Sequence, residues 1–312
     1  MTTASPSKVE HEITMPILNP DSSGSSRTFR FAGKIDEMDL QEGRIIDYKS
    51  TKDPLRFVAE KTIGFQPDLY ALAARECGIC VQEIEYRLVS VPGIICTKGK
   101  PDNGSLDAYE GRCFQWCCDP GHPRRLWPHP IPINPARLAT ARAYAWDCAK
   151  RILDSRKHHR WLPNEHGCWT WNKACPFLPL CEQLAGGGDP QWIIEERYET
   201  KPKNHTELET EEDGKTILTY SSMSTLSLCE QKYYWSYERG LRRKQDYDVA
   251  PWLGSAMHAG IAAFATGGIE AAYAAIDAWR EANPAFGEAI DKVEENVRKA
   301  RAMCRAAMER WG

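Results

Sequence analysis

The sequence predicts an α/β protein in which a β-rich half precedes an α-rich half. Segments that alternate between apolar and polar residues are concentrated in residues 8–90, whereas apolar residues at helical spacing dominate residues 217–312. The third observation is the length, because 312 residues allow one large domain or two modest ones, with a substantial core in either case.

The β-rich half consists of short alternating segments separated by turn residues. Alternation places one face of each strand against a core and leaves the other face in solvent. One short helix, from about Asp68 to Ala74, interrupts the strands, and residues 91–135, rich in Pro, Gly and Trp, receive no element. The predicted strands cover residues 9–13, 28–36, 44–49 and 83–90, and Leu40-Gln41-Glu42-Gly43 closes a hairpin between the second and the third.

Further helices are predicted from apolar residues at helical spacing. Pro135 suits the first turn of a helix that ends near His158. Residues 183–216 are predicted to be a linker without an ordered core, because they open with three glycines and then become markedly acidic. Ser221 or Ser222 can cap the next helix. The predicted helices cover residues 135–158, 221–237, 252–264 and 288–311.

Composition restricts the location and the class of protein. The N-terminal residues have no basic cluster followed by an apolar stretch, so no secretory signal is expected, and no membrane span is expected either, because no apolar run approaches about 18 residues. A cytoplasmic location follows as the expectation, and there the twelve cysteines favour metal or cluster ligation over disulfides. The net charge of -3 gives no general indication of nucleic-acid binding, so any such surface must be local.

The predicted hairpin carries the residues best suited to catalysis. Asp36 ends one strand, and Asp47 and Lys49 share a face of the next strand because they are two residues apart. Two carboxylates can hold a hard divalent ion that polarises a phosphate and activates water, while a lysine stabilises the developing negative charge. For Asp-x-Lys alone a solvated hairpin is the favoured explanation, because such tripeptides are common. The apolar Ile45 and Ile46 favour a buried strand that delivers Asp47 to a site.

This hairpin and the helix after it resemble the core of PD-(D/E)xK nucleases, in particular the RecB-like exonuclease branch. That branch carries Gln-x-x-x-Tyr on the helix after the lysine strand, as Gln66 and Tyr70 do here. Residues four apart share a helix face, which suits contact with a DNA phosphate or with Lys49. The resemblance implies a restriction-endonuclease-like fold, a mixed central sheet flanked by helices, in which Asp36, Asp47, Lys49, Gln66 and Tyr70 are catalytic.

Four cysteines form a second group with a predicted role. Cys168, Cys175 and Cys181 lie close together in a Pro-punctuated segment, and Cys229 lies on a later helix followed by basic and aromatic residues. RecB-like nucleases stapled by an iron–sulfur cluster are similar. The resemblance implies a [4Fe-4S] cluster, although a structural zinc site fits the same residue types.

The α-rich half resembles the beginning of a RecB-like nuclease. Gly254 and His258 match a Gly-x-x-x-His motif whose histidine binds the catalytic metal, so the resemblance implies that His258, Asp36 and Asp47 hold Mg²⁺ or Mn²⁺. A basic group after the Cys229 helix either lines a DNA path or forms a solvated helix end. It consists of Arg239, Arg242, Arg243 and Lys244.

The two halves occur in the reverse of the family's order. Residues 1–182 correspond to the later half and residues 217–312 to the earlier half. A circular permutant, joined through residues 183–216, uses each motif once and is the explanation we favour, since a flexible stretch of that length spans roughly 30 Å. The alternatives are a partial tandem copy and halves that complement each other between subunits. In the favoured explanation residues 217–312 complete the same nuclease domain as residues 1–182.

The resemblance implies a metal-dependent DNA exonuclease acting in DNA recombination or repair, or in phage or mobile-element DNA processing. Its expected partner is DNA that is single-stranded or has free ends. No membrane partner is expected, and a homo-oligomer is an open alternative. A second class of function is a non-catalytic DNA-binding accessory module with a structural zinc or iron–sulfur site.

Overall fold

The computed structural model describes residues 8–96, 104–170, 173–201, 214–244, 249–284 and 292–312. Strands predominate at the beginning of the chain and helices at its end, as the sequence predicts, but the segment between them mixes both. The strands are β1 (Lys8–Leu18), β2 (Ser25–Asp39), β3 (Arg44–Thr51), β4 (Glu83–Ser90), β5 (Leu126–Pro132), β6 (Trp169–Thr170), β7 (Lys173–Ala174), β8 (Tyr198–Thr200), β9 (Thr216–Leu218) and β10 (Leu241–Arg243). The helices are α1 (Pro54–Ile63), α2 (Gln66–Glu76), α3 (Leu106–Cys117), α4 (Pro135–His158), α5 (Leu178–Ala185), α6 (Gln191–Arg197), α7 (Tyr220–Leu228), α8 (Glu230–Tyr233), α9 (Val249–Ala282) and α10 (Val293–Trp311).

A mixed six-stranded sheet forms the centre of the structure. Its strands follow the order β1-β2-β3-β4-β5, and β9 pairs with β2. β1, β2 and β3 are successively antiparallel, β3 and β4 are parallel, and β4 and β5 are antiparallel again. The parallel pair requires a crossover, which α1 and α2 supply between β3 and β4. This is the mixed sheet with flanking helices that the sequence predicts.

The sheet separates two hydrophobic cores. Neighbouring residues of β3 belong to different cores, Ile45 to one and Ile46 to the other, because successive side chains of a strand point to opposite faces. The first core is covered by α2 and α4 together with Met223 and Leu226 of α7, and the second by α9 and α10. Helices from both the N-terminal and the C-terminal parts of the chain therefore bury the same sheet.

Several predicted elements agree closely with the structure. β4 and α4 have the predicted bounds, and β2 and β3 form the predicted hairpin. The helix predicted for residues 221–237 is capped by Thr219 and is interrupted at Cys229, whose backbone is extended with a φ of -166°. The predicted start of the last helix at residue 288 lies outside the described residues.

Among the elements that the sequence did not predict are α1, α3 and β5. α1 has an Asp53 cap but no fully buried residue, so it shows no apolar stripe. α3 buries Tyr109, Cys113 and Cys117 at four-residue spacing, a stripe that was detectable in the sequence. β5 has proline at every second position from Pro128 to Pro132. Proline cannot donate a ladder hydrogen bond and is confined to edge strands, which explains both the position of β5 and the failure to predict it.

The expected linker over residues 183–216 is partly ordered, which corrects the prediction. Residues 191–200 form α6 and β8, and β8 pairs antiparallel with β10. Ile193, Ile194 and Tyr198 are buried in a third cluster with Phe177 and with Trp235 and Leu241. Glu195, Glu196 and Glu199 are exposed, so the acidic composition did not reveal the local apolar group. Residues 202–213 lie outside the described part of the chain.

α9 contradicts the expectation that no segment is long and apolar enough to cross a membrane. Residues Pro251–Ala282 meet that criterion by length and composition. The backbone departs from helical geometry at Gly267 and Gly268, and Gly268 has a φ of 69°. The two parts of α9 pack against each other, because a Cβ on Gly260 would lie only 2.9 Å from Ile276 Cδ1. Leu253, Met257 and Ile276 of α9 pack in the second core, whereas 22% of the apolar window is buried in all.

We expect Asp68→Ala to destabilise the fold by about 3 kcal/mol, the range for breaking a buried ion pair. Asp68 is 3% exposed, and Arg137 at the start of α4 binds both of its oxygens, with Nε–Oδ1 and Nη2–Oδ2 distances of 2.8 and 2.9 Å. The substitution leaves the guanidinium without its counter-ion at the α2–α4 contact. Denaturant unfolding measures the change in the free energy of unfolding.

Glu60→Ala is the matched control, because it removes an ion pair with Arg56 in which both side chains are 52% exposed. We expect a change of about 0.3–0.5 kcal/mol. Equal losses of stability in the two variants would contradict the importance of the buried pair.

Candidate active site

The candidate active site lies where β3 separates from β2. The whole of β3 pairs with β4, but only its residues up to Ile46 also pair with β2. Residues 47–51 have no described partner on β2. In this gap the Asp36 carboxylate accepts a hydrogen bond from the backbone N–H of Tyr48 at 2.8 Å. Because a buried N–H group needs a partner, a side chain here takes the place of a strand. The gap brings Asp36 beside Asp47.

The buried Asp47 and the half-buried Lys49 form an ion pair on β3. The Asp47 side chain is 4% exposed, and its Oδ2 lies 2.6 Å from Lys49 Nζ. Lys49 Nζ also donates to the Tyr48 carbonyl at 3.2 Å. The predicted alternation of this strand is therefore present, with Ile46 and Tyr48 packed on the opposite face.

The electrostatic environment shifts the pKa values of the two carboxyl groups in opposite directions. Burial raises the pKa of Asp47, and the Asp36 carboxylate adds to this, although Lys49 opposes it. Burial alone would also raise the pKa of Asp36, but His258 and Lys49 lower it below its usual value. Burial alone would lower the pKa of Lys49, yet the carboxylates of Asp47 and Asp36 raise it above its usual range. Lys49 is therefore an ammonium group at neutral pH.

Gln66 and Tyr70 lie in the first two turns of α2, facing the carboxylates. Gln66 Nε2 donates to Tyr70 Oη at 3.3 Å. Burial and the charge of Asp47 raise the pKa of Tyr70, so its hydroxyl stays protonated and can donate a hydrogen bond. The Tyr70 ring packs directly on Gly33 of β2, where a Cβ would lie 2.9 Å from Tyr70 Cε1. Gly33 therefore permits the approach of α2 to the hairpin.

α9 brings His258 to the same site. His258 Nδ1 lies 3.3 Å from Asp36 Oδ2. Four residues earlier, Gly254 faces the end of β3, and a Cβ at that position would lie 3.0 Å from Ser50 Oγ. The Gly-x-x-x-His spacing thus has a physical reason, since the glycine allows the helix close enough for the histidine to reach Asp36. A residue of the C-terminal part completes the site within one chain.

Sequence reasoning missed Lys61, which also lies at the site. Lys61 Nζ donates to Gln66 Oε1 at 2.6 Å. It lies 5.5 Å from the centroid of the Phe57 ring and 5.3 Å from that of Tyr220. Burial and the neighbouring charge of Lys49 lower the pKa of Lys61. No spacing motif marks this residue, because its neighbours come from α2 and α7 as well as from α1.

The donor chemistry of the site fits a divalent cation. Asp36, Asp47 and His258 supply carboxylate and imidazole groups, which Mg²⁺ or Mn²⁺ can accept. Asp47 Oδ2 already has Lys49 Nζ at 2.6 Å, and a divalent cation held by both carboxylates would further offset the burial of Asp47 and its repulsion by Asp36. As the side chains stand, no three His, Cys, Asp or Glu residues of the described chain surround one point as metal ligands.

The four predicted cluster cysteines occupy one neighbourhood. Burial and the nearby thiols of Cys175, Cys229 and Cys168 raise the pKa of Cys181 to about 11. The backbone N–H of Asn164 donates to Cys229 Sγ at 3.3 Å, the kind of hydrogen bond that tunes cluster sulfurs. The thiol chemistry fits a cluster or a zinc ion, although in the described residues these thiols are not arranged as ligands around one point.

All four predicted DNA-binding cations make contacts within the fold. Arg239 is exposed, and its Nη1 donates to Tyr234 Oη at 3.5 Å. The contacts of the other three attach β10 to β8, to α6 and to the cysteine segment. They join Arg242 Nε to Glu199 Oε1 (2.7 Å), Arg243 Nε to the Pro176 carbonyl (3.0 Å) and Lys244 Nζ to the Glu195 carbonyl (2.5 Å).

A mixed sheet with a lysine and two carboxylates at a split hairpin defines a site suited to phosphodiester hydrolysis. The family model of the PD-(D/E)XK nuclease superfamily matches residues 2–182 and 217–312. The chain therefore belongs to the PD-(D/E)XK nuclease superfamily, whose members are generally phosphodiester hydrolases that act on DNA and typically use Mg²⁺ or Mn²⁺. No curated protein and no solved structure matches the chain significantly.

We expect Gly33→Ala to displace the Tyr70 ring, because the added Cβ would lie 2.9 Å from Tyr70 Cε1. Such overpacking costs about 1–3 kcal/mol. Denaturant unfolding measures this loss, and a crystal structure of the variant reports the position of the ring.

Gly111→Ala in α3 is the control, since nothing lies within 4 Å of its added Cβ. There alanine should stabilise the helix by about 0.5–1 kcal/mol. A Gly33→Ala protein with unchanged stability and an unmoved Tyr70 ring would refute the close approach of α2.

Proposed function

We propose that the protein is a metal-dependent DNA exonuclease of the RecB-like branch. The single observation that carries this proposal is the 3.3 Å contact between His258 of α9 and Asp36 of the hairpin. An imidazole beside two carboxylates and a lysine supplies every group that the branch's motifs imply. These residues come from both halves of the chain, so a solvated hairpin does not explain their convergence.

In this proposal Asp36, Asp47 and His258 hold the catalytic Mg²⁺ or Mn²⁺. When bound, the ion polarises the phosphate and lowers the pKa of water. Lys49 is kept protonated by its carboxylate neighbours, so its ammonium group neutralises negative charge that develops on the phosphate and does not act as a base. The low exposure of Asp47 and Lys49 keeps these charges effective, because burial reduces screening by water.

Gln66 and Tyr70 would hold the substrate. The hydroxyl of Tyr70 and the amide of Gln66 can donate to phosphate oxygens, and their mutual hydrogen bond of 3.3 Å orders both side chains beforehand. The packing of Tyr70 on Gly33 fixes the ring at a set distance from the hairpin. A rigid pair of donors costs less entropy on binding than a mobile pair.

We propose that Cys168, Cys175, Cys181 and Cys229 bind a [4Fe-4S] cluster that staples the end of the domain. Support comes from the mutual effect of their thiols on the pKa of Cys181 and from the family resemblance of the segment. Zinc is the competing occupant for the same residue types.

A circular permutation of the RecB-like order is the proposed origin of this arrangement. On one face of the sheet α7 of the C-terminal part packs with α2 and α4, and α9 and α10 cover the other face, which supports the folding of both parts as a single unit. A tandem remnant or complementation between subunits would not require His258 to contact Asp36 of the same chain. A homo-oligomer stays an open alternative, as does a contribution of Arg239 to a DNA path.

The wider context rests on the family resemblance. We propose DNA that is single-stranded or has free ends as the substrate, and recombination, repair or mobile-element processing as the setting. A cytoplasmic location stays a prediction, and the twelve free cysteines are consistent with a reducing compartment.

We expect the purified chain to degrade DNA in the presence of Mn²⁺, and Asp47→Ala and Lys49→Ala each to lower kcat at least about 100-fold. The first variant removes a cation ligand, and the second removes the ammonium group that faces the phosphate. Rates of nucleotide release from end-labelled linear DNA measure both, and a covalently closed circle tests the requirement for free ends.

Asp147→Ala and Lys150→Ala are matched controls, because both residues are exposed on α4 and should leave the rate unchanged. Cleavage that survives Asp47→Ala and Lys49→Ala would overturn the assignment. DNA binding without cleavage by every protein, the wild type included, would favour the accessory-module alternative.

We expect anaerobically purified protein to contain about four iron atoms per chain and Cys229→Ser to lose them. Metal analysis and the visible absorption spectrum measure this outcome without reference to activity. Cys148→Ser is the matched control, since Cys148 is also buried but lies on α4. A colourless wild-type protein that holds zinc and no iron would refute the cluster.

A further inference from the structure

Lys61 is a cation at the active site that the proposed mechanism does not use. It lies near the end of α1, where α1 meets the first residues of α2 and α7. Its ammonium group contacts the Gln66 amide oxygen at 2.6 Å and lies over the rings of Phe57 and Tyr220. The Gln66 amide and the Phe57 and Tyr220 rings, which belong to three different helices, therefore fix the position of the Lys61 ammonium group.

No acidic side chain of the described residues pairs with Lys61. Its neighbour Lys49 has Asp47 at 2.6 Å, and Arg56 on the same helix has Glu60 at 2.8 Å. Asp47 and Glu60 act on its charge only from a longer distance, and a partly buried ammonium group without a direct ion pair is unfavourable, because the solvation that it loses is not fully replaced. The fold nevertheless holds Lys61 in place with aromatic and amide contacts, which leaves its charge available to an anion.

The surroundings of Lys61 suit a phosphate in particular. Gln66, which accepts the hydrogen bond from Lys61, belongs to the pair of donors proposed to hold the substrate. Tyr220, whose ring faces Lys61, is the first residue of α7, and the N-terminal end of a helix favours negative charge. Lys49 already neutralises the catalytic carboxylates, so a second cation nearby would serve the substrate and not the metal ligands.

We propose that Lys61 is a substrate-binding residue that contacts the DNA phosphate next to the one being cleaved. This rests on the proposed function, because it deepens the description of the same site. The ammonium group binds non-bridging phosphate oxygens, and Gln66, Phe57 and Tyr220 hold it in position. Because this phosphate does not react, the contact strengthens substrate binding equally in the ground state and in the transition state.

The test compares Lys61→Gln and Lys61→Arg with the wild type and with Lys150→Gln, which removes an equal charge from the exposed surface of α4. In the presence of Mn²⁺, Lys61→Gln should raise KM about tenfold, as the loss of one charge-assisted hydrogen bond predicts, with kcat nearly unchanged. Lys61→Arg should restore most of the affinity. Lys150→Gln should change neither constant.

A second readout detects the phosphate contact directly. Fluorescence anisotropy of a labelled single-stranded oligonucleotide gives the dependence of log Kobs on log salt concentration. Lys61→Gln should reduce the magnitude of this slope by about 0.7, the value for one phosphate contact to a single strand. Lys150→Gln should leave the slope unchanged. A purely structural role for Lys61 would lower the melting temperature without altering the slope.

The outcomes separate this inference from the proposed function. If the wild type cleaves DNA and Asp47→Ala does not, while Lys61→Gln keeps the wild-type KM and salt slope, only the role of Lys61 is refuted. A fall in kcat without a change in KM or slope would also refute it. If the wild type binds DNA without cleaving it and Lys61→Gln reduces the slope, the phosphate contact stands and the nuclease function fails.

Discussion

The separation of β3 from β2 after Ile46 is the constraint on which the rest of the site depends. If the register of the hairpin continued, Asp36 would stand directly opposite Asp47, and like charges opposite each other destabilise a strand pair. The strands instead diverge, and the Asp36 carboxylate accepts the N–H of Tyr48. β3 stays in the sheet through its parallel pairing with β4. The result is a rigid gap in which two carboxylates lie side by side without a shared ladder.

Side chains around this gap offset the negative charge of Asp36 and Asp47. Lys49 comes from β3 itself and His258 from α9, and both lie close to the carboxylates. Two glycines make the helix approaches possible, because a side chain at Gly33 would strike Tyr70 and one at Gly254 would strike Ser50. Gly33 and Gly254 are therefore part of the candidate site because they permit this close packing. Their role is to set the distance between helix and sheet.

The second core connects the C-terminal part to the candidate site. Tyr48 lies between Asp47 and Lys49 in the chain but points to the opposite face, where its ring packs edge-on against Trp311 of α10 with centroids 6.2 Å apart. Its hydroxyl bonds Arg87 at 2.6 Å and Glu37 at 3.0 Å. The last helix therefore packs against the face of β3 opposite to Asp47 and Lys49, so the second core supports the strand that carries the candidate site residues.

By itself the sequence determined the local elements and the residues with the strongest chemical motifs. β4 and α4 were predicted with their bounds, because strand alternation and helical spacing depend only on near neighbours. Asp36, Asp47 and Lys49 were proposed from the hairpin pattern, and Gln66 and Tyr70 from the resemblance to a known family. Only the tertiary structure decided that His258 reaches Asp36, that residues 191–200 belong to a packed cluster, and that Lys61 lies beside Gln66. These contacts join elements far apart in the chain, and their distances depend on the packing of whole helices against the sheet, which local spacing does not encode.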